Sequence, residues 1–572
     1  MHVAIVEHPL GLSAYCEEIL GTWGLALHET VPPGALPTLD PAAVPVVIAP
    51  ASVEQTGAVD PLIEYARRGG TLICFLPEGP LAAAAGLTVE GEHESPARLR
   101  ITAMDAAGIA GELLPIVGRI GSYRAAEATA ALAHLCCPGR SLGDSPGITE
   151  ARVGRGRILA FAFDLPRCVL LLRQGDPARA ESRPNGDACS RPSHLAADIG
   201  LGDSSWIPFA DLLSRILMDQ VRRHLKAPVP LWHHLPASAP AILLYAGDED
   251  GADVAWNDEQ FNYLASVGAR MNLYMIPTNT KSTRADTERY LAHHDLGPHP
   301  NLRSLDRSPV SARLEELERQ ILMFEEMFGI KARTVRNHCT AWAGYLEPVE
   351  VMEKLDVRMD ANYFSGTYMR DRQHAPYAAF GAAMPMRFCR PDGRVLNVFQ
   401  QHTHVADDVL FGPGGAKSFK IAPRVWAVTL ERIFTDMVGR FHTPLGLCIH
   451  PTNWVRFSRP HGQELLSQAE QQGIPAWSFD QWCAFREARD GWRFQEVTWA
   501  GNTLAFRAEG SEYHPDLRIQ VPLAYGGLAL REVLLDGKPT AWVTVTRFRE
   551  RAALLSLPGG KSEYRVQAAY GG

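Results

Sequence analysis

Long apolar runs, a secretory leader and an excess of basic residues are all missing from this chain of 572 residues. No apolar run reaches the roughly 18 residues that a membrane-spanning helix requires, so we expect no part of the chain to cross a membrane. Residues 1–7 (MHVAIVE) resemble a buried strand and not a basic start followed by an apolar stretch, so we expect a cytoplasmic protein. Aspartate and glutamate (64) outnumber lysine and arginine (56), and the net charge of −8 argues against a nucleic-acid partner.

Cysteine is also sparse, with 10 residues, one adjacent pair (Cys136-Cys137) and no CxxC spacing. We therefore expect buried free thiols in a reducing compartment. Hydrophobic residues make up 46% and charged residues 21% of the chain, which is typical of a globular protein with well-formed cores. At about 100–200 residues per domain, the length predicts three or so domains.

Residues 1–236 form the first predicted domain, because short apolar runs alternate with helical patterns. This alternation predicts an α/β fold with a parallel sheet covered by helices on both faces. Residues 174–205 are rich in Arg, Asp, Ser, Gly and Pro without any period, which predicts a long loop or excursion. A helix over residues 208–225 then closes the domain.

The first domain resembles the glutamine-amidotransferase-like domains, which are related to flavodoxin, over about residues 1–225. An active member of that class needs a nucleophilic cysteine on a tight strand-to-helix turn flanked by glycines. The candidate here is Cys74 in the run ICFLPEG, which has no glycine two residues before or after the cysteine. We therefore expect a non-catalytic domain that shapes a substrate cleft or makes a subunit interface, which leaves a homo-oligomer open.

Residues 237–490 form the second predicted domain, in which strand and helix patterns alternate again. The clearest helix covers residues 312–328, where apolar side chains recur at three- and four-residue steps and Gly329 ends the pattern. Six or seven such units predict a (β/α) barrel, whose chemistry lies at the C-terminal ends of the strands. Residues 491–572 alternate at period two around turn residues, which predicts a small all-β sandwich that braces the barrel or binds sugars.

Polar side chains, most of them capable of binding a metal, recur where the predicted barrel strands end. They are Asp248, Glu249 and Asp250 after the first strand, His299, Arg336, His338 and Asp360 after later ones, and His402, His404 and His450 towards the end. A divalent metal bound by carboxylate and imidazole polarises a carbonyl and lowers the pKa of water. A separate carboxylate can accept a proton from that water and a histidine can protonate the leaving group, which are the parts that deacetylation needs.

These motifs resemble those of the polysaccharide deacetylase family over about 240 residues. The run GDEDG (247–251) is similar to the family's paired aspartates, and HDLGPH (294–299) is similar to its HEIGxH motif. The resemblance implies that His299 is a metal ligand and that Arg336 matches a third motif. It also implies that His450, after the apolar run LGLCI, is the general acid. The histidine and carboxylate ligands favour zinc.

Two departures from the family pattern leave choices open. The family has a second metal histidine four residues after the first, where this chain has Arg303, which cannot bind a metal. We expect the third ligand to be His338, with His404 and His402 as alternatives. Strand alternation puts Asp248 and Asp250 on one side, so we assign Asp250 to the metal and Asp248 to the base, with Glu249 as the alternative base.

Aromatic residues near the strand ends are candidates for stacking on a sugar ring, and packing within the core is the competing interpretation. We assign Trp342, Tyr363 and Trp454, with His404, to the substrate; Tyr345 and Phe364 lie in the same stretches. The function we expect is a metal-dependent hydrolase that removes an acyl group from an N- or O-acylated sugar or glycoconjugate. The alternatives are a degenerate carbohydrate-binding protein on the same fold and a glycoside hydrolase that uses two of the carboxylates.

Overall fold

A mixed α/β architecture with several sheets is formed by the residues that the computed structural model describes, namely 2–94, 97–103, 109, 112–136, 145–196, 207–364, 381–413 and 418–572. The N-terminal strands are β1 Val3–Val6, β2 His28–Val31, β3 Val46–Ala49, β4 Thr71–Phe75, β5 Leu87–Glu94, β6 Ala97–Ile101, β7 Leu113–Ile116, β8 Arg119–Ala125, β9 Ala130–Cys136, β10 Ser145–Val153 and β11 Gly156–Phe161. The N-terminal helices are α1 Ser13–Thr22, α2 Val59–Arg67, α3 Gly79–Ala84, α4 Leu165–Gln174, α5 Pro192–Leu195 and α6 Phe209–His224.

One nine-stranded sheet organises this N-terminal region, in the order β2-β1-β3-β4-β11-β10-β9-β6-β7. The first five strands are parallel, and the remaining pairings are antiparallel. The parallel part follows the flavodoxin-like strand order, with β11 as its fifth strand. Strands β1, β3 and β4 are buried at every residue because helices cover both faces, which explains why they are continuous apolar runs.

The strand-to-helix turn after β4 shows where a nucleophile would have to be. Its strained residue is Leu76, with φ of 49°, and helix α3 begins three residues later. Cys74 lies inside the strand, is completely buried and donates its thiol to the carbonyl of Leu159. Burial raises the pKa of this thiol. The geometry agrees with a non-catalytic domain, which stays a prediction.

The central region, 237–490, begins after a short linker strand. The strands are the linker strand β12 Leu231–Trp232, then β13 Ile242–Leu244, β14 Ala246–Asp248, β15 Asn272–Met275, β16 Asp295–Pro298, β17 Thr334–Val335, β18 Met359–Asp360, β19 Met386–Cys389, β20 Val395–Gln400, β21 Val405–Ala406, β22 Pro444–Cys448 and β23 Ala476–Trp477. The helices are α7 Val254–Ser266, α8 Arg284–Tyr290, α9 Val310–Phe328, α10 Glu347–Lys354, α11 Asp407–Leu410, α12 Pro423–Asp436, α13 Pro451–Asn453, α14 Arg459–Gln471 and α15 Phe479–Asp490, with π-helical turns at Met437–Phe441 and Trp454–Ser458.

The parallel pairings of this region run in a closed circuit. Strand β13 pairs with β22 and β23, its continuation β14 pairs with β15, and β15 pairs with β16. A backbone bond from Arg336 to Pro298 links β17 to β16, and β17 pairs with β18, which pairs with β20. The chain after β20 becomes β21, which pairs with β22 and returns to the start. The ends of these strands therefore share one rim.

Helix α9 shows why the helical patterns of the sequence are reliable here. Its side chains Leu317, Ile321, Phe324 and Phe328 are buried, at the three- and four-residue steps that place them on one face. Gly329, at φ of 69°, adopts the left-handed conformation that ends many helices. The observed helix begins two residues before the predicted one and ends at the same residue.

Within the described part of the chain, no helix is long and apolar enough to span a membrane.

The C-terminal residues form two antiparallel sheets. Their strands are β24 Trp492–Ala500, β25 Thr503–Gly510, β26 Arg518–Pro522, β27 Ala524–Tyr525, β28 Leu528–Leu535, β29 Lys538–Pro539, β30 Val543–Arg547, β31 Glu550–Ser556 and β32 Glu563–Gly571. One sheet has the order β24-β25-β32-β28-β27 and the other β12-β26-β31-β30. The linker strand β12 thus belongs to the C-terminal sheet, which the alternation of residues along the sequence does not predict.

A junction of buried aromatic and histidine side chains joins the three regions. Trp23 follows α1, His233 and His234 follow β12, His442 precedes β22, and Phe548 follows β30. The His234 ring lies 5.5 Å from Trp23 and 5.0 Å from His233, and the His442 ring lies 4.9 Å from Phe548. Burial lowers the pKa of both His233 and His442 to about 3, so these rings are neutral at neutral pH.

Candidate metal centre

The acidic run at the end of β14 divides its side chains between two environments. Asp250 has a left-handed backbone, with φ of 50°, which turns the chain as the strand ends. The carboxylates of Asp248 and Asp250 both approach the same histidines. Glu249 is buried elsewhere and accepts hydrogen bonds from Asn257 (3.0 Å) and Ser282 (2.7 Å). Burial raises the pKa of Glu249. In this arrangement Asp248 and Asp250 face the site and Glu249 does not.

Asp250, His299 and His338 come together at the rim of the strand circuit. Oδ1 of Asp250 lies 3.3 Å from Nε2 of His299 and 3.1 Å from Nδ1 of His338. The three ligand atoms all lie within 4.8 Å of one another. Two ligands about 2.1 Å from one tetrahedral zinc ion lie roughly 3.4 Å apart. The observed separations therefore fit a single divalent ion.

The hydrogen bonds of His299 prepare one of its nitrogens for a metal. Nδ1 donates to the backbone carbonyl of Arg336 at 2.6 Å, so the lone pair lies on Nε2. Nε2 is buried and, among the residues that the structure describes, has no hydrogen-bond partner. A buried polar atom without a partner costs free energy, and a metal ion would satisfy it.

The charges of the set also suit a cation. Burial acts to raise the pKa of Asp250, but the imidazoles of His299, His338 and His450 around it outweigh burial and hold that pKa well below its usual range. Burial acts to lower the pKa of His338, but its bonds to Asp250 and Cys339 outweigh burial and raise the pKa to about 10. Asp250 is therefore an ionised carboxylate that is stabilised by positive charge beside it. A divalent ion would supply more of that charge.

Asp248 is the second carboxylate of the site and is paired with a buried arginine. Nη1 of Arg336 donates to Oδ1 of Asp248 at 3.1 Å, and Oδ2 of Asp248 lies 3.7 Å from Nε2 of His299. Arg336 is also fixed by bonds to the carbonyl of Ala361 and the hydroxyl of Thr403. Burial acts to raise the pKa of Asp248, but the nearby cationic groups outweigh it and lower this pKa. Asp248 is therefore ionised and held in one orientation.

His450 faces both carboxylates from the end of β22. Its Nε2 lies 3.8 Å from Oδ2 of Asp248 and 3.8 Å from Oδ2 of Asp250. Its Nδ1 bonds to Asp407 at 2.6 Å, and Asp407 also accepts from Asn453. Burial acts to lower the pKa of His450, but Asp407 and then Asp248 and Asp250 outweigh it and raise this pKa well above the usual value. His450 is therefore protonated beside an ionised carboxylate.

Two further groups of metal-capable atoms share His450. One adds Asp248 and Cys448, and the other adds Asp407 and Asp408. Burial raises the pKa of the Cys448 thiol well above its usual value, which disfavours the thiolate that binds metals. In the other group, the bond from His450 to Asp407 already uses Nδ1. The set of Asp250, His299 and His338 fits a metal better than either.

The structure brings His338, and not Arg303, beside Asp250 and His299. Nε of Arg303 donates to Asp306 at 2.8 Å within its own loop. Neither alternative ligand, His404 or His402, belongs to a group of metal-capable atoms among the residues that the structure describes. His404 accepts from the backbone of Gly446 through Nδ1 and bonds the carbonyl of Ala382 through Nε2, so both nitrogens are used. His402 is completely buried against the Tyr363 ring.

The residues assigned to substrate binding are buried and do not line an accessible rim. Trp342, Tyr363 and Trp454 are 1%, 0% and 0% exposed. Trp342 packs edge-on against Tyr363 and donates to the carbonyl of Tyr345, while Trp454 packs on Tyr263. His404 is also buried. A ring without an exposed face cannot stack on a sugar, so the core-packing interpretation replaces the substrate assignment for these side chains. Phe364 is 8% exposed and offers no open face either.

Asp407 is the site residue that sequence reasoning missed. It follows β21 and opens the short helix α11, in the run HVADDVL. An adjacent acidic pair immediately after a predicted strand is the same signal that drew attention to Asp248 and Asp250. The pairing with His450 spans 43 positions of the sequence, so spacing alone does not indicate it.

Comparisons with known proteins give only distant likenesses. No protein-family model matches the chain, and no curated protein matches it in sequence. The chain is similar to the structure of Agd3, described as a novel carbohydrate deacetylase, with 10% identity over 99% of both chains and a TM-score of 0.40. It is also similar to a candidate polysaccharide deacetylase from Mycobacterium smegmatis, with 13% identity over 46% of this chain and 94% of that one and a TM-score of 0.33. A cold-adapted β-galactosidase from Rahnella sp. R3 matches at 16% identity and a TM-score of 0.23, and the chain covers 28% of its length. At TM-scores of 0.40 and below, these likenesses do not establish the function of this chain.

Proposed function

We propose that the chain is a zinc-dependent hydrolase that removes an acyl group from an N- or O-acylated sugar or glycoconjugate. The observation that carries the proposal is the convergence of Asp250, His299 and His338 within 4.8 Å, directly beside Asp248 and His450. The sugar class comes from the resemblance of GDEDG and HDLGPH to deacetylase motifs. In the proposed organisation, an N-terminal domain without catalytic function precedes the hydrolase domain. A β-sandwich follows it at the C-terminus.

Asp250, His299 and His338 would hold the metal. When bound, a divalent ion supplies Lewis acidity that polarises an acyl carbonyl and makes water more acidic. Asp248 accepts the proton of the attacking water, because Arg336 keeps it ionised and oriented. His450 donates a proton to the departing amine or alkoxide, because Asp407 holds its ring and keeps it charged. Each of the two groups thus has the protonation state that its role requires.

The same charges argue against a glycoside hydrolase. That reaction needs a carboxylic acid whose pKa is raised so that it can protonate the glycosidic oxygen. The pKa values of Asp248 and Asp250 are both lowered by the histidines and Arg336 around them. Glu249 has a raised pKa, but its side chain is buried and bonded to Asn257 and Ser282.

The proposal is tested first by metal binding. The purified full chain, stripped with a chelator, should bind about one zinc ion, and His299→Ala and Asp250→Ala should each abolish tight binding. His293→Ala and Asp253→Ala are matched controls, since both side chains are exposed on neighbouring loops. Zinc bound with equal affinity by all four variants would refute the metal assignment.

Turnover is tested separately with a panel of N- and O-acetylated mono- and oligosaccharides, measured as released acetate. We expect release that requires zinc and is lost in His299→Ala. A chain that binds zinc and these sugars, yet releases no acetate from any of them, would be the degenerate carbohydrate-binding protein instead.

A further inference from the structure

The aperiodic stretch after α4 leaves the N-terminal sheet and packs on the central region. We call residues 176–196 the crossing segment. It contains short 3-10 turns and the helix α5. Its side chains Cys189 and Leu195 are buried in an apolar cluster that includes Trp342 and Tyr345. A segment that sequence composition describes as a loop is therefore built into the core beneath the candidate metal centre.

The crossing segment bonds the chain that follows His338. The Ser190 hydroxyl donates to the carbonyl of Trp342 at 2.7 Å, and the Trp342 amide donates to the carbonyl of Ser190 at 3.0 Å. Nη1 of Arg191 donates to the carbonyl of Cys339. Further along, the amide of Gly344 donates to the carboxylate of Glu181 at 2.7 Å. These bonds fix the backbone at three points within six residues of His338.

The turn that carries His338 needs such support. Cys339 and Thr340 are consecutive residues other than glycine in the left-handed region, with φ of 56° and 48°. That conformation is unfavourable for residues with a Cβ and persists only where surrounding structure imposes it. The turn places Nδ1 of His338 3.1 Å from Asp250, and a ligand displaced by a small fraction of this distance binds a metal less well.

We propose that Arg191, supported by Ser190, is a positioning residue that holds His338 in the geometry of a metal ligand. This inference rests on the proposed function, because it takes His338 to be a ligand. The crossing segment reaches the turn through the carbonyl of Cys339, the residue next to His338. The N-terminal region thus completes a metal centre to which it contributes no ligand.

Arg191 is suited to this role by its surroundings. Its side chain is mostly buried, and Asp187 of the same segment lies 3.7 Å from its Nε. That carboxylate orients the guanidinium towards the turn. Arg183 provides a comparison within the segment, because it donates to the carbonyl of Asp306, in the loop of Arg303, and not to the turn that carries His338.

The test measures zinc affinity of the full chain by competition with a chromophoric chelator. Loss of a group that orients a metal ligand typically weakens metal binding roughly 10–100-fold, and we expect this for Arg191→Ala. Arg191→Lys should recover part of the affinity, and Ser190→Ala should show a smaller loss. Arg183→Ala is the matched control and should bind zinc as the parent does. The visible absorption of the Co²⁺-loaded protein should change in Arg191→Ala and stay unchanged in the control, a signature that lost stability alone does not produce.

The outcomes separate this inference from the proposed function. If His338→Ala loses zinc while Arg191→Ala and Ser190→Ala keep the parent's affinity and Co²⁺ spectrum, the positioning role is wrong and the metal centre stands. If His338→Ala itself binds zinc like the parent, the ligand assignment fails. Should Arg191→Ala not fold, Arg191→Gln and Ser190→Ala carry the same test.

Discussion

The histidine junction should make the stability of this protein decrease in mild acid. Burial lowers the pKa of His233 and His442 from 6.5 to about 3, with Arg547 adding to the effect. Consider a basic group whose pKa is lower in the folded protein than in the unfolded chain. Its contribution to the free energy of unfolding is complete only at pH values above the pKa that it has in the unfolded chain. That stability is then lost as the pH falls from about 6.5 towards 3, because the unfolded chain binds the proton more readily.

The magnitude follows from the size of the shift. Each pH unit between the unfolded and folded pKa values costs about 1.4 kcal/mol per histidine. Acidification from pH 6.5 to about pH 5 should therefore cost about 2 kcal/mol for each of His233 and His442. Buried acids act in the opposite direction. Burial raises the pKa of Asp360 and Asp480 to about 7, so they favour the folded state as the pH falls.

The comparison of variants isolates the histidines from these acids. His233→Gln keeps a donor for Gln520, which lies 3.1 Å from Nδ1, and His442→Asn tolerates the left-handed backbone at φ of 49°. Urea unfolding of parent and variants is followed by tryptophan fluorescence at pH 7 and at about pH 5. We expect each variant to lose about 2 kcal/mol less than the parent on acidification. Equal losses in parent and variants would refute the reasoning.

Four further predictions concern the site and its surroundings. Asp248→Asn should keep zinc and lower acetate release by roughly 10²–10⁴-fold, whereas Glu249→Gln should retain turnover, and the reverse result would exchange their roles. Asp407→Asn should lower turnover roughly 10²-fold. It should also move the basic limb of the pH–rate profile to lower pH, because the charge that raises the pKa of His450 is removed. A basic limb that does not move would show that Asp407 does not set the pKa of His450 during turnover. Gly446→Ala should destabilise the chain by about 1–3 kcal/mol in denaturant titration, because the new Cβ would lie 2.2 Å from the carbonyl of His402. Cys74→Ser should leave acetate release unchanged, and glutaminase activity abolished by this change would overturn the non-catalytic assignment.

Local patterns predict local structure well in this chain. The apolar runs of β1, β3 and β4 and the stepwise apolar residues of α9 are interpreted correctly because burial on one face or two leaves a period in the sequence. Long-range pairing leaves no such trace. Strand β12 pairs with β26 nearly 300 positions later, and nothing in the two residues of Leu231–Trp232 indicates that partner.

The aromatic residues show a second limit. Trp342 and Trp454 follow strand ends in the sequence, where a sugar platform would also lie. Whether such a ring faces solvent or a neighbouring helix depends on packing that the local sequence does not encode. Asp407 shows the converse, because its importance comes from a histidine on another strand, 2.6 Å away.

The candidate ligands could be chosen from sequence because strand ends of one parallel circuit must meet. Sequence could not give the left-handed backbone of Asp250 and Cys339, because aspartate adopts this conformation only occasionally and cysteine rarely does. Such strain at a rim of polar side chains is expected where function requires a particular geometry. The three-domain boundaries stay a prediction, and the roles of the site residues are tested by the variants proposed for them.

The proposed use of His338 in place of a histidine at position 303 also changes which parts of the chain must be rigid. Arg303 stands where the family pattern has histidine, and its loop is held by its own pair with Asp306. His338 stands in the neighbouring loop, whose strained turn is held by backbone bonds from the amide of His338 to Pro300 and from the amide of Thr340 to Asn337, and by Arg191 at the carbonyl of Cys339. Both loops are reached by the crossing segment, Asp306 through Arg183 and Cys339 through Arg191. In the proposed arrangement the strained loop therefore gains part of its rigidity from outside the central region, through the crossing segment.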